Sequence, residues 1–287
     1  MNCQFFVVSK NRPKCVTTRL LKKGGVDYHI VVEKEDVEKY VEAGHERERL
    51  VVLPASNRGY SYVVNFCKNT YLREGHPVVV MDDDIANFFY SIDGEAKCGL
   101  SLKTPEELAE FFDEFGNFLV GPGFVLREGR RECVRFVLNQ RSVNVADRVE
   151  GVIVDERDVG VSPRFKYGGI PHLIVFKGLR TLELDFDERL ELKCDIDYSL
   201  KCMYLGIVYA RFVRFLLQSK MNKEATQGGG LQDVYERRER VQRAHDIILK
   251  RWPLNARVDE KKKPINGVPE LRIVYKKFDI DFDAVEV

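Results

Sequence analysis

Neither sign of charge dominates this chain of 287 residues: 46 Lys and Arg stand against 45 Asp and Glu, a formal net charge of +1. A global basic field of the kind that gathers nucleic acid is therefore missing, and any such binding has to come from a local patch. No apolar run approaches the 18 residues of a membrane span, and Met1-Asn2-Cys3-Gln4 lacks the shape of a signal peptide. A cytoplasmic protein with no membrane partner is expected. The cysteines (Cys3, Cys15, Cys67, Cys98, Cys133, Cys194 and Cys202) are scattered, odd in number and without paired short spacing. That pattern fits free thiols in a reducing compartment better than a disulfide framework or a zinc site. The five histidines show no metal-ligand spacing, and nothing in the sequence supports His172 or His245 as a ligand. Internal repeats and low-complexity linkers are absent as well. What the chain does have is apolar mass: 44% of its residues are hydrophobic, enough for a sizeable core and too many for a disordered chain.

The sequence is organised around Val78-Val79-Val80-Met81-Asp82-Asp83-Asp84-Ile85. A continuous apolar run is what a parallel strand covered on both faces shows. Three carboxylates then stand where that strand should end. Unit charges about 4 Å apart repel by about 4 kcal/mol at an effective dielectric near 20, so the cluster must be solvated, protonated or neutralised by a cation. Strand carboxyl ends in open α/β sheets are also where ligands bind. Oxygen ligands on a tight turn suit Mg²⁺ or Mn²⁺, which complete their shell with water and substrate phosphates. The competing reading is an acidic turn in water.

Around this strand the pattern alternates. Gln4 to Ser9, Tyr28 to Val32 and Leu50 to Leu53 read as strands; Glu35 to Ala43 and Tyr60 to Arg73 read as helices, each followed by a glycine. The stretch before Lys23 reads only as a short basic segment. Such alternation predicts βαβ units and a largely parallel sheet. Thr104-Pro105-Glu106-Glu107 opens another helix, with Thr as cap and Glu three residues on. Beyond Gly121-Pro122-Gly123, short β-rich pieces (133–138, 152–154, 173–176 and 181–184) predict a mixed sheet with an antiparallel lobe. Residues 207–217 are compatible with strand or helix. A long helix is expected from about Leu231 to Arg251, stopped by Trp252-Pro253, and a last strand from Leu271 to Tyr275.

Three features recur together in one enzyme class. Asn57-Arg58 ends the third strand, Lys68-Asn69 lies on the following helix, and the acidic triplet ends the next strand. A cation and a basic side chain are what a sugar nucleotide's diphosphate needs as the glycosyl bond breaks. At these residues the sequence resembles the GT-A glycosyltransferases, whose Asp-x-Asp motif ends a buried strand. More narrowly, Asn57-Arg58-Gly59, Lys68-Asn69 and Val79 to Ile85 resemble the TET/JBP-associated glycosyltransferases, which are linked to glycosylation of 5-hydroxymethylated pyrimidines in DNA, notably in phages. The resemblance implies a GT-A-like α/β fold: a Rossmann-like mixed sheet flanked by helices, with a smaller antiparallel lobe. It also implies one domain over 1–287, with 1–120 binding the nucleotide sugar and 121–287 the acceptor. Asp82 and Asp84 would hold Mn²⁺ or Mg²⁺, and Asn57, Arg58, Lys68, Asp82 and Asp83 would contact a UDP-sugar donor, glucose being the expected sugar. Lys68 stands where the family has Arg, which keeps the charge and loses the bidentate fork. A phage-encoded protein acting in a host cytoplasm is the implied setting.

Cys194-Asp195-Ile196-Asp197-Tyr198 is similar to the Glu-Asp-x-Asp element of inverting GT-A enzymes, where the Asp matching Asp195 is the general base. The alternative is a helix start capped by Asp195 or Asp197. Gly228-Gly229-Gly230 could give amides to phosphate or form a mobile stretch. Arg237, Arg238, Arg240 and Arg243 could track a DNA backbone, and Glu236 and Glu239 among them could equally make a salt-bridged face. Gly229, Gly230, Arg237 and Arg240 are thus the expected acceptor residues. Two other functions compete: metal-dependent nucleotidyl transfer or nuclease action, needing a further carboxylate such as Asp195 or Asp197, and a non-catalytic nucleic-acid-binding module, which the near-zero charge disfavours.

Overall fold

The computed structural model describes residues 3–92, 95–120, 140–148, 173–176, 179–204, 207–219, 237–262 and 264–274. Four parallel strands, β1 (Gln4–Val8), β2 (Tyr28–Val32), β3 (Leu50–Val52) and β4 (Val78–Asp82), lie side by side in the order β3-β2-β1-β4. Helices α1 (Val16–Lys23), α2 (Val37–Glu42) and α3 (Tyr60–Tyr71) make the crossovers that parallel pairing demands. Crossovers of one hand put helices on opposite faces when the chain reverses its direction across the sheet. The chain steps outward from β1 to β3, then returns past β1 to β4. Accordingly Leu21 of α1 and Tyr40 of α2 pack with Phe5, Val7, Ile30 and Met81, whereas Val64 and Cys67 of α3 pack with Phe6, Val31 and Val80. Successive side chains of a strand point to opposite faces, and both faces are covered. That is why these strands read as unbroken apolar runs.

The sheet continues through β5 (Ile85–Ile92), β6 (Glu95–Ser101), β7 (Gln140–Arg148), β8 (Leu173–Phe176) and β9 (Ile207–Ser219). The full order is β3-β2-β1-β4-β8-β7-β9-β5-β6. β8 runs antiparallel to β4 and parallel to β7, while β9, β5 and β6 pair antiparallel. Helix α4 (Pro105–Val120) packs Phe112 edge-on against Phe5 (5.9 Å) and Phe88 (5.0 Å). Its start is the reciprocal cap read from the sequence: Glu107 N–H donates to Thr104 Oγ1 (3.2 Å) and Thr104 N–H to Glu107 Oε2 (2.9 Å). Helices α5 (Cys194–Tyr204) and α6 (Arg238–Arg251) follow, with a separate antiparallel pair, β10 (Ala256–Val258) and β11 (Leu271–Ile273). The fold is a mixed α/β sheet flanked by helices with a small antiparallel pair, as expected.

Several local expectations are corrected. The basic segment before Lys23 contains α1, and the β-rich reading of 181–184 gives way to a 3-10 turn, Leu179–Glu183. The ambiguous run 207–217 is strand β9. Of the long C-terminal helix, Arg238–Arg251 is described; residues 231–236, like the expected strands 133–138 and 152–154, lie outside the described residues.

Candidate active site

The direction of the chain across the sheet reverses between β1 and β4, and the carboxyl ends of strands at such a point are where open α/β sheets bind ligands. The acidic triplet stands there, Asp82 closing β4 and Asp83-Asp84 forming the turn into β5. The three carboxylates are not equivalent. Asp83 is buried and turned into the loop that follows β1: Ser9 Oγ donates to its Oδ2 (2.5 Å) and Arg12 Nη1 lies 3.3 Å from Oδ1. Burial raises its pKa, against the pull of the Ser9 hydrogen bond and the Arg12 charge. Its carbonyl accepts from the first amides of α1, Val16 N (3.0 Å) and Thr17 N (3.3 Å), and Thr17 Oγ1 donates to the Asp82 carbonyl (2.6 Å). Asp83 therefore fixes the turn, while Asp82 and Asp84 remain only partly buried.

The neighbouring strand ends supply a basic–polar edge. Asn57 adopts a left-handed backbone (φ 58°), which asparagine tolerates better than most residues. Its N–H donates to Glu33 Oε1 (2.7 Å), and Lys10 Nζ donates both to Asn57 Oδ1 (2.8 Å) and to Glu33 Oε1 (3.0 Å). Loops after β1, β2 and β3 are thus tied into one rim. Arg58 is exposed on that rim, donating from Nη2 to Glu188 Oε2 (2.6 Å), with its guanidinium 5.2 Å from the Tyr62 ring centre. Lys68 is placed differently from the expectation of a diphosphate contact. It is fully buried, and its three protons go to the carbonyls of Thr181 (2.6 Å) and Leu184 (2.7 Å) and to Asp185 Oδ1 (2.8 Å). An ammonium so saturated has no proton left for a phosphate.

Asp195 stands half-buried in the first turn of α5, and Tyr60 opens α3 immediately after Gly59. Burial first, and then Asp82, the Cys194 thiol and Asp195, raise the Tyr60 pKa well above its ordinary value. The first carboxylate of the triplet and the candidate base therefore share one neutral phenol as neighbour. Cys194, standing where the related element has Glu, is a buried thiol pushed up to about 12. Asp197, by contrast, is fully buried and accepts from Arg251 Nη1 (2.7 Å) and Trp252 Nε1 (2.9 Å), which makes it the anchor of α6. Sequence reading missed Ser9, Lys10, Arg12, Glu33 and Tyr60; only the Tyr60 position, after a glycine at a helix start, carried a local signal.

Among the described residues no three His, Cys, Asp or Glu side chains are grouped to hold a metal ion. Mg²⁺ and Mn²⁺ do not ask for such a cage, since one or two carboxylates and substrate phosphates suffice, and the pair Asp82 and Asp84 fits that demand. His245 is committed elsewhere, Nδ1 to the Pro269 carbonyl (3.0 Å) with Glu270 beside Nε2 (3.4 Å). Of the expected acceptor residues, Gly229 and Gly230 lie outside the described residues. Arg237 is exposed at the start of α6, and Arg240 pairs with Glu191 (3.3 Å). No helix among the described residues is long and apolar enough to cross a membrane.

No curated protein matches the chain. Among solved structures, a CMP:2-keto-3-deoxy-manno-octonic acid synthetase complexed with CTP aligns at 7% identity over 88% of this chain and 86% of that one, with a TM-score of 0.29. A likeness that small carries no argument. Residues 3–118, which hold β1 to β4, the acidic turn and the Asn57–Arg58 rim, match the model of the TET-Associated Glycosyltransferase family, and this N-terminal part of the chain is similar to those glycosyltransferases.

Proposed function

We propose that the protein is a metal-dependent hexosyltransferase of the GT-A type. It moves a sugar, with glucose as the favoured donor, from a UDP-sugar to the hydroxyl of 5-hydroxymethylcytosine or 5-hydroxymethyluracil in DNA. The observation that carries this reading is the acidic turn at the β1–β4 switch point, inside the segment matching the glycosyltransferase family. In this reading Asp82 and Asp84 would hold Mn²⁺ or Mg²⁺, which would supply charge neutralisation for the leaving diphosphate. Lys10, Asn57 and Arg58 line the rim that receives the nucleotide, Arg58 exchanging Glu188 for a phosphate oxygen. Asp195 takes the proton of the hydroxymethyl group as its oxygen attacks the anomeric carbon. The bond to the diphosphate breaks with its electron pair leaving on UDP. Tyr60, held neutral by its burial, adds no charge of its own beside Asp82 and Asp195.

The direct test incubates the protein with Mn²⁺, a UDP-hexose and an oligonucleotide carrying either modified base, then weighs the DNA by mass spectrometry. One added hexose per hydroxymethyl base, absent from unmodified DNA, is the expected result. DNA of unchanged mass with every UDP-hexose and both bases would overturn the proposal.

A further inference from the structure

A cleft of about 380 Å³ opens along α1, walled on one side by Pro13 and Lys14 of the loop after β1 and on the other by residues 43–49. Four cations line it, Lys14, Arg19, Lys22 and Arg49, against two carboxylates, Asp27 and Glu46. Arg49 is spent on both of these, at 2.8 Å and 2.9 Å. The other three are exposed, and among the described residues none of them has an ion pair or a side-chain hydrogen bond. A chain with a net charge of only +1 thus concentrates uncompensated positive charge in one groove.

The shape of that charge decides its ligand. Arg19 and Lys22 are three residues apart and so stand on one face of α1 a helical turn from each other, with Lys14 beyond the helix start. This is a row and not a point of convergence. A single phosphate would favour the amides of a helix N-terminus, but the first two of α1, Val16 and Thr17, are already given to the Asp83 carbonyl. The row also leads somewhere. The loop that walls the cleft with Pro13 and Lys14 holds Asp83 through Ser9 and Arg12, and His45 Nε2 meets the Pro13 carbonyl at 2.7 Å. Tyr40, beside the His45 ring (5.7 Å), donates to Ser9 Oγ (2.6 Å). Cleft wall and acidic turn are one hydrogen-bonded unit.

We infer that this cleft binds the phosphodiester backbone of a nucleic-acid strand, Lys14, Arg19 and Lys22 each meeting a phosphate as the strand runs along α1 toward the acidic turn. The inference rests on DNA being the acceptor. It places the acceptor track on α1, whose three cations line one cleft joined by hydrogen bonds to the acidic turn; on α6, Arg240 is paired with Glu191, while Arg237, Arg238 and Arg243 are exposed and line no such cleft among the described residues.

The test measures binding of an unmodified fluorescent duplex against salt, without donor, in the parent protein and in the Arg19→Ala/Lys22→Ala variant. Each phosphate contact contributes about 0.9 to the slope of log affinity against log salt, so the double variant should lose about 1.8 of that slope. UDP and inorganic phosphate affinities, read by calorimetry, should stay unchanged. Lys14→Glu, a reversal at an exposed site, is the second variant and should weaken duplex binding by about tenfold or more. Parental affinity and slope in both variants would overturn the inference, as would a loss of UDP or phosphate binding in place of DNA binding. A protein that binds DNA through this cleft yet transfers no sugar would sink the glycosyltransferase reading and leave the cleft assignment standing. Unchanged slopes in variants of a protein that does transfer sugar would do the reverse.

Discussion

Asp82, Asp83 and Asp84 are neighbours in sequence and unlike in surroundings. Asp83 is committed to Ser9 and Arg12 at the foot of the β1 loop, so Asp83→Ala should strip that loop of its acceptor and cost about 2 kcal/mol in urea unfolding. Asp84 is only partly buried, and removing it relieves a like-charge repulsion. The expected result for Asp84→Ala is therefore an unchanged or higher unfolding midpoint with Mn²⁺-dependent UDP-sugar affinity abolished. Calorimetry finding the parent's affinity with and without Mn²⁺ would remove Asp84 from the metal site. Asp195 is judged by rate and not by binding. Asp195→Asn should keep the donor affinity and lower transfer by about 10²–10⁴-fold, the usual cost of losing a general base. Transfer within about threefold of the parent would leave Asp195 as a residue of the α5 start and nothing more.

Lys68 shows what a helix does that its sequence does not announce. On α3 it looked like a surface cation poised for phosphate, but the chain at 181–185 folds over it and takes all three protons. Lys68→Met would remove the charged donor from two carbonyls, that of Leu184 and that of Thr181, the latter still accepting from Leu184 N–H (3.4 Å), while the half-exposed Asp185 returns to water. We predict a loss of about 2–4 kcal/mol in urea unfolding, with UDP affinity of the folded protein unchanged. A stable variant that no longer binds UDP would return Lys68 to the donor site. The same logic explains which elements were legible. β1, β2, β4 and α4 announced themselves because apolar runs and a capping pair act within one segment. Helix α1 did not, for Cys15 offers no side-chain cap and the helix is started from outside, by the carbonyls of Asp82 and Asp83. The strand pair β5–β6 has its local signal in Asp93-Gly94, a hairpin dipeptide in the sequence, and lacks the unbroken apolar run of β4. The site was legible where a motif sits on one strand end, as at Asp82–Asp84. Lys10, Glu33 and Tyr60 belong to it through the meeting of separate loops, which no local pattern records.

Across the whole molecule the C-terminal helix is tied to the segment before α5 by charge, and that tie sets how the fold answers acid. Arg251 bridges Asp187 and the fully buried Asp197, and Trp252, the only tryptophan, donates to the same Asp197. The Asp187 carboxyl is held well below the usual carboxylate range, first by its hydrogen bonds from Arg189, then by Arg251. A carboxylate whose folded pKa lies below its unfolded value of about 4 adds stability in full above that value. The contribution drains away as the pH falls from about 4 toward the folded pKa. Asp83 works in the opposite sense, because burial raises its pKa and the folded state gives up stability as the pH climbs through that raised value. Urea unfolding followed by Trp252 fluorescence should therefore show a stability plateau near neutrality and a fall below about pH 4. Asp187→Asn keeps the shape of the side chain and removes its titration. It should be less stable than the parent at pH 6 by about 2 kcal/mol, and the difference should shrink as the pH is lowered to 3. Equal stabilities at pH 6, or a gap that widens in acid, would mean that the tie between α6 and the rest of the molecule does not depend on the Asp187 charge.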